Sequence, residues 1–347
     1  MRIIRLLLLL MLVFAINATD ATAEQKESAA SKAAQPFQVK LPDGLYLFQP
    51  KLHESRFSPL FIIKGGKLID PYPLAKNMGI PKFMKKYVTG KTFNVYVGTE
   101  MIGKLSDVKL QPFNDCLSEE MFPDIPVSGK YEGKPLPGIY SDKSIYPDNK
   151  AAISFYKGEV KAIATPQSFK ALKKMEAFSV TEEDKAEATK AVRGNLIGEA
   201  MKSMEEWAKR EKRQIVGEKE SSLVFAKAID LDGNSRKDII GLYELLISHR
   251  LESTEYTGGQ FSEILFILWD TGKIERIPFN YGFGGLGGVI DLDQDGVSEI
   301  ILQIELSVFF ETDGAEDGRQ IEIWQHTLSG WKRIYHTIEV CRVISYH

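Results

Sequence analysis

The chain has little cysteine, little histidine and almost no charge excess, and each scarcity removes a class of function. Only Cys116 and Cys341 occur in 347 residues, too few for a disulfide-dense scaffold or a four-cysteine zinc site. His53, His249, His326, His336 and His347 show no HExxH or Cys/His ligand spacing, which leaves no zinc centre to expect. Neither a Gly-x-Ser-x-Gly elbow nor a catalytic-cysteine signature is present. A net charge of −3 withholds the clustered positive charge that nucleic acid demands. The scattered Lys82, Lys85, Lys86 and Lys91 read as a solvated face rather than a polyanion patch.

Long apolar runs are equally scarce. The one that occurs, Leu6 to Ile16 behind Arg2 and Arg5, is shorter than the about 20 residues that cross a bilayer, and reads as an export signal. Ala21 and Ala23 fit the small positions of a signal-peptidase site, so 1–23 is the expected signal peptide and Glu24 the expected mature start, in the periplasm or outside the cell. No membrane span is expected after signal removal. In an oxidising compartment Cys116 and Cys341 favour a disulfide over two separately buried thiols, a choice that depends on whether their Cα atoms come within bridging distance.

What is present is an ordinary globular composition, 44% apolar and 26% charged, with a length suited to about two domains. Residues 24–36 lack apolar periodicity and read as a flexible linker. Residues 37–167 alternate short β-forming runs with Gly and Pro, the pattern of a small β domain. Within it Gly65-Gly66 marks a two-residue hairpin turn, Pro112 to Asn149 a loop-rich bridge, and Lys157-Gly158 a further turn. In the helical segment 168–218, one long helix is expected from a Thr181 cap to about Ile215, acidic at its start and basic at its end. Val192, Leu196, Ala200, Met204 and Trp207 form its apolar stripe. Gly194 and Gly198 either permit close packing or mark a break.

The most informative residues lie in 219–347. Asp230-Leu-Asp232-Gly-Asn234-Ser-Arg236-Lys-Asp238 and Asp291-Leu-Asp293-Gln-Asp295-Gly-Val297-Ser-Glu299 both put oxygen-bearing side chains at positions 1, 3, 5 and 9 of a nine-residue loop. Such a loop turns alternate side chains and the position-7 carbonyl, here of Arg236 or Val297, inward. That suits Ca²⁺, which takes about six to eight oxygens. Gly296 supplies the sharp turn in the second loop; Ser235 in its place implies looser geometry in the first. Four carboxylates against three, with Arg236 and Lys237 opposing, make the second loop the tighter expected site. The loops open 61 residues apart, and each follows one apolar strand and precedes three, which indicates an internal duplication.

Phe283-Gly284 followed by the second loop resembles the FG-GAP repeat of integrin α-subunit propellers and bacterial VCBS-type proteins. The resemblance covers roughly Ser222 to Thr337. It implies propeller-blade-like units with Ca²⁺ on their outer edge, held in the second unit by Asp291, Asp293, Asp295, the Val297 carbonyl and Glu299. In the first unit only the loop matches, since Val224-Phe225-Ala226 replaces the Phe-Gly pair.

The expected fold is therefore α+β and β-dominated: a small N-terminal β domain, one long helix, and a C-terminal pair of four-stranded propeller-blade-like units. The expected function is an exported, non-catalytic calcium-binding module for adhesion or recognition of a protein or glycan. A periplasmic or secreted hydrolase with the repeats as accessory, and a structural cell-envelope protein, are the alternatives. Gly282 to Gly288 leads into no helix, so it reads as an inter-unit connection rather than a phosphate cradle. Trp269 and Trp324, at the ends of strands that look equivalent, read as core rather than a sugar platform.

Overall fold

The computed structural model describes residues 37–50, 56–98, 100–111, 122–137, 161–169, 177–251, 257–279, 282–309 and 315–343. The expected signal peptide, the 24–36 linker, Cys116, most of the Pro112 to Asn149 bridge and the turn at Lys157-Gly158 lie outside them. Cys341 is disulfide-bonded.

Seven strands form the N-terminal sheet: β1 (Gly44–Phe48), β2 (Ser58–Lys64), β3 (Lys67–Ile69), β4 (Phe93–Val97), β5 (Glu100–Leu110), β7 (Val127–Gly133) and β8 (Ile163–Pro166). Their order is β3-β2-β1-β8-β4-β5-β7, while β6 (Phe122–Pro123) leaves to join the C-terminal sheet. Gly65 and Gly66 join β2 to β3 with φ of 57° and 73°, the positive angles a two-residue hairpin needs and glycine supplies cheaply. Two short helices, α1 (Pro71–Met78) and α2 (Ile80–Tyr87), interrupt the β pattern expected of residues 37–167. Asp70 starts the first by accepting the Tyr72 amide at 2.9 Å, with Pro71 in the first turn, where its missing N–H costs nothing.

The expected long helix is instead two, α3 (Glu182–Asn195) and α4 (Ile197–Arg210), divided at Leu196. A Cβ added at Gly194 or Gly198 would meet nothing within 4 Å. These glycines therefore accompany the break and serve no close packing. Thr181 and Asp184 complete a reciprocal capping box at the start of α3, which satisfies two otherwise orphaned amides.

Beyond the helices run β9 (Ala177–Phe178), β10 (Arg213–Ile229), β11 (Asp238–Leu251), β12 (Thr257–Leu268) and β13 (Ile274–Arg276), paired in the order β13-β12-β11-β10-β9. The last sheet pairs β14 (Gly282–Ile290), β15 (Glu299–Phe309), β16 (Ala315–Thr327), β18 (Val340–Val343) and β6 in that order, with β17 (Gly330–His336) also on β16. Thus β10 to β13 and β14 to β17 are two antiparallel meanders. Gly282 to Gly288 lies inside β14 and is no connection; a Cβ at Gly288 would come within 2.6 Å of Ile163, so its absence lets β8 approach. Antiparallel strands dominate the fold, and among the described residues no sheet closes into a barrel or propeller.

Alternation along the strands explains the layering, because successive side chains leave opposite faces. Leu45 and Leu47 join Tyr72, Ala75 and Phe83 in a core beneath α1 and α2. On the other face Tyr46, Phe48 and Phe61 are fully buried, and Phe61 meets Tyr335 of β17 edge-on at 6.2 Å. Ile240, Leu242, Leu265 and Ile267 of the middle sheet share a core with Ile300, Leu302 and Ile304 of the last. Ile239, Tyr243 and Phe266 point the other way, into a core with Val192, Ala200 and Met204 of the helix pair. The layers of Val39–His347, which form one unit, therefore run helix pair, sheet, sheet, sheet, helix pair. Because Ile239 and Ile300 hold corresponding positions after their loops yet enter different cores, the two meanders stack front to back.

Trp269 and Trp324 both lie in the core between the meanders, but they are not equivalent. Ile239 pairs with Leu268 whereas Ile300 pairs with Trp324, one residue out of step. At the β16–β17 turn His326 pairs with Trp331.

A candidate metal centre in two paired loops

Each acidic loop leaves the end of one strand and enters the next, so strand pairing fixes its two ends. Ile229 pairs with Asp238 in the first and Ile290 with Glu299 in the second. Inside, the two loops repeat one hydrogen-bond plan. The position-2 amide donates to the position-9 carboxylate: Leu231 to Asp238 at 2.9 Å and Leu292 to Glu299 at 2.6 Å. The position-6 amide donates to position 1: Ser235 to Asp230 at 3.0 Å and Gly296 to Asp291 at 3.1 Å. The position-7 amide donates to position 5: Arg236 to Asn234 at 2.7 Å and Val297 to Asp295 at 2.8 Å.

Positions 4 and 6 are left-handed in both loops, Gly233 and Ser235 at φ 73° and 66°, Gln294 and Gly296 at 57° and 97°. Each loop thus carries one glycine and one strained non-glycine, in exchanged places, and a left-handed L-residue costs roughly 1–2 kcal/mol. Ser235 is left-handed at position 6 as Gly296 is, so the serine does not prevent the sharp turn there.

This turn geometry gathers carboxylates. Oxygens of Asp230, Asp232 and Asp238 lie within 4.8 Å of one another, as do those of Asp291, Asp293 and Glu299. Positions 1, 3 and 9 therefore converge. At position 5, Asp295 is not part of its group of three, and it and Asn234 each accept the position-7 amide with a side-chain oxygen. Arg236 and Val297 enter the repeated plan through their main-chain amides, and the Arg236 guanidinium turns away to Asp270 at 2.9 Å.

Burial decides what these carboxylates need. Asp230 is 5% exposed, and its Oδ1 has no hydrogen-bond partner, a state that costs free energy unless something positive fills it. Burial first, then Asp232 and Asp270, pushes the Asp238 carboxyl up. Burial and Asp295 push Asp293 up. Glu299, 1% exposed, is pushed up to about 8 by burial and then by Asp293, Asp291 and Asp295. A dication would reverse each of these penalties, and the donors are all hard oxygens, the set that Ca²⁺ and Mg²⁺ take. The residues present thus fit a divalent cation.

A pH dependence follows from Glu299. Its folded carboxyl titrates above its unfolded value, so between the two the folded chain holds the extra proton and stability falls as pH rises. In chelator, urea unfolding should show the protein losing up to about 1.4 kcal/mol per pH unit from this group between pH 6.5 and 8. Glu299→Gln should flatten that slope, and saturating calcium should do likewise by displacing the proton. An unchanged slope in Glu299→Gln would assign the loss to other groups.

Several partners of the loops are invisible in local spacing. Asp270, just past β12, donates its amide to Asp238 at 3.0 Å while its carboxylate holds Arg236. Gln325 on β16 donates to Asp293 at 2.9 Å. Lys237 reaches Asp184 of the α3 capping box at 2.5 Å. The cations expected to oppose metal in the first loop are therefore each engaged by a carboxylate from outside it. For Asp270 and Gln325 the one available signal is a polar residue near the end of the strand that pairs with the strand leaving the loop.

Away from the loops, a cavity of about 360 Å³ opens beside the N-terminal sheet, lined by Asp43, Tyr87, Lys91, Thr92, Gln167 and Ser168 among others. Its one carboxylate, Asp43, already accepts the Gly65 amide at 2.9 and 3.0 Å, and no histidine or cysteine lines it. Among the described residues no helix is long and apolar enough to cross a membrane. No family model, no curated protein and no solved structure matches this chain.

Proposed function

We propose that the chain is an exported calcium-binding protein whose two loops, in a pair of blade-like units, make it a non-catalytic module for binding or adhesion to a protein or glycan. The observation that carries the metal reading is the buried, unpartnered Oδ1 of Asp230 beside two further carboxylates within 4.8 Å. Repetition of the same trio and hydrogen-bond plan in the second loop supports it. Calcium is favoured over magnesium because flexible, carboxylate-rich loops suit its larger, irregular shell, whereas Mg²⁺ demands near-octahedral geometry and keeps its waters. The front-to-back meanders support the blade-like reading, since neighbouring blades meet in that manner. Export to the periplasm or beyond rests on Arg2, Arg5, the Leu6 to Ile16 run and the small residues at Ala21 and Ala23.

Titration calorimetry of the purified, chelator-stripped chain tests the metal. Two calcium ions per chain are expected, with magnesium a poor competitor. Heat and metal analysis that register no calcium would end the proposal. For the module, calcium-dependent retention on a panel of immobilised glycans and surface proteins is expected, and retention indifferent to chelator would separate the metal from recognition.

A further inference from the structure

Resting on the calcium reading, we propose that the two loops fill cooperatively, through one peptide unit that belongs to both. The Ser298 amide donates to the Leu231 carbonyl at 2.8 Å. Leu231 is position 2 of the first loop, and its own amide donates to Asp238. The Ser298 amide is the other half of the peptide whose carbonyl, that of Val297, would be the position-7 ligand of the second loop under the calcium reading. A cation on that carbonyl polarises the peptide and strengthens its N–H as a donor, since hydrogen bonds in a chain reinforce one another.

The reverse path is geometric. A cation bridging Asp230 and Asp238 holds Leu231 between them and sets its carbonyl for Ser298, whose neighbour Glu299 is the buried ligand of the second loop. Ordering one loop thus removes part of the entropy cost of ordering the other, which is positive coupling. Coulomb repulsion between two dications works against it. Each filled trio of carboxylates nevertheless keeps a net negative charge, because three carboxylates outweigh one dication, and this softens the repulsion.

Calcium calorimetry on the full chain and on two isosteric variants tests the coupling. The wild type should bind two ions with a Hill coefficient above 1. Asp291→Asn, which disables the second loop, should weaken the remaining site at least about fivefold, and Asp230→Asn should weaken the second loop by the same factor, because linkage is reciprocal. Ser298→Pro deletes the connecting N–H at the residue before a strand, where proline is tolerated; it should bind two ions without cooperativity, and it decides the matter should an Asn variant fail to fold. Remaining sites of wild-type affinity, or weakened cooperativity in none of the variants, would overturn the coupling while leaving the calcium reading intact. A wild type that takes up no calcium would overturn both.

Discussion

Saturating calcium should raise the melting temperature of the purified chain by about 10 °C, since a hundredfold excess over the dissociation constant stabilises by about 2.7 kcal/mol per site and each kcal/mol is worth roughly 2 °C at this size. Asp291→Ala should remove more than half of that rise. It deletes a carboxylate that the Gly296 and Asp295 amides both use, and it also withdraws whatever the second loop lends the first. Asp295→Ala is the discriminating control. Its carboxylate stands outside the convergent trio, so it should lower the rise by less than Asp291→Ala does. Thermal melts followed by circular dichroism, with calcium and with chelator, read both. Identical curves in the two conditions would remove the metal from the account of this fold.

The second large effect lies far from the loops. Arg319 on β16 is 7% exposed and reaches Asp124 at 2.5 Å with its guanidinium over the Phe48 ring at 5.2 Å. Asp124 also accepts from Ser58, Tyr72 and the Ile125 amide at 2.8 to 3.1 Å. This is a shared anchor between the N-terminal sheet and the last one. Burial and the neighbouring Asp124 push the Tyr72 phenol well above its ordinary value, as befits a group held neutral there. Arg319→Ala should cost about 3–5 kcal/mol in urea unfolding, because it strands a buried carboxylate. Arg319→Met with Asp124→Asn should cost clearly less, since neither charge is then left alone. Equal losses in the single and double variants would mean that packing on Phe48, rather than charge pairing, carries the anchor.

The parts of this fold that could be read from the sequence are those specified locally. The meander strands follow from apolar alternation between punctuated turns, and the start of α3 from Thr181, Asp184 and the acids beside them. The two loops are legible because a metal-binding turn repeats residue types at fixed intervals. What escaped depends on distance along the chain or on competing local signals. Strand β8 inserts between β1 and β4 from far downstream, and no pattern in Ile163–Pro166 announces its neighbours. Helix α1 carries a start signal in Asp70-Pro71 that the surrounding β-forming residues outweighed. Leu196 divides α3 from α4 where the apolar stripe runs on unbroken, so periodicity alone favoured one helix. Within the candidate centre, the position-5 side chains satisfy the turn itself, and Asp270, Gln325 and Asp184 arrive from other elements.

Front-to-back packing of the meanders has one more implication. An interface that joins unlike faces leaves an unlike face free at either end, so nothing in the contact itself limits how many units follow one another. In this chain the α3–α4 pair occupies one free face and the N-terminal sheet the other, as terminal caps do in repeat arrays. Stripping either cover would expose a sheet face of the kind the meanders bury against each other, and open-ended fibres, rather than closed dimers, would be the form of any resulting self-assembly.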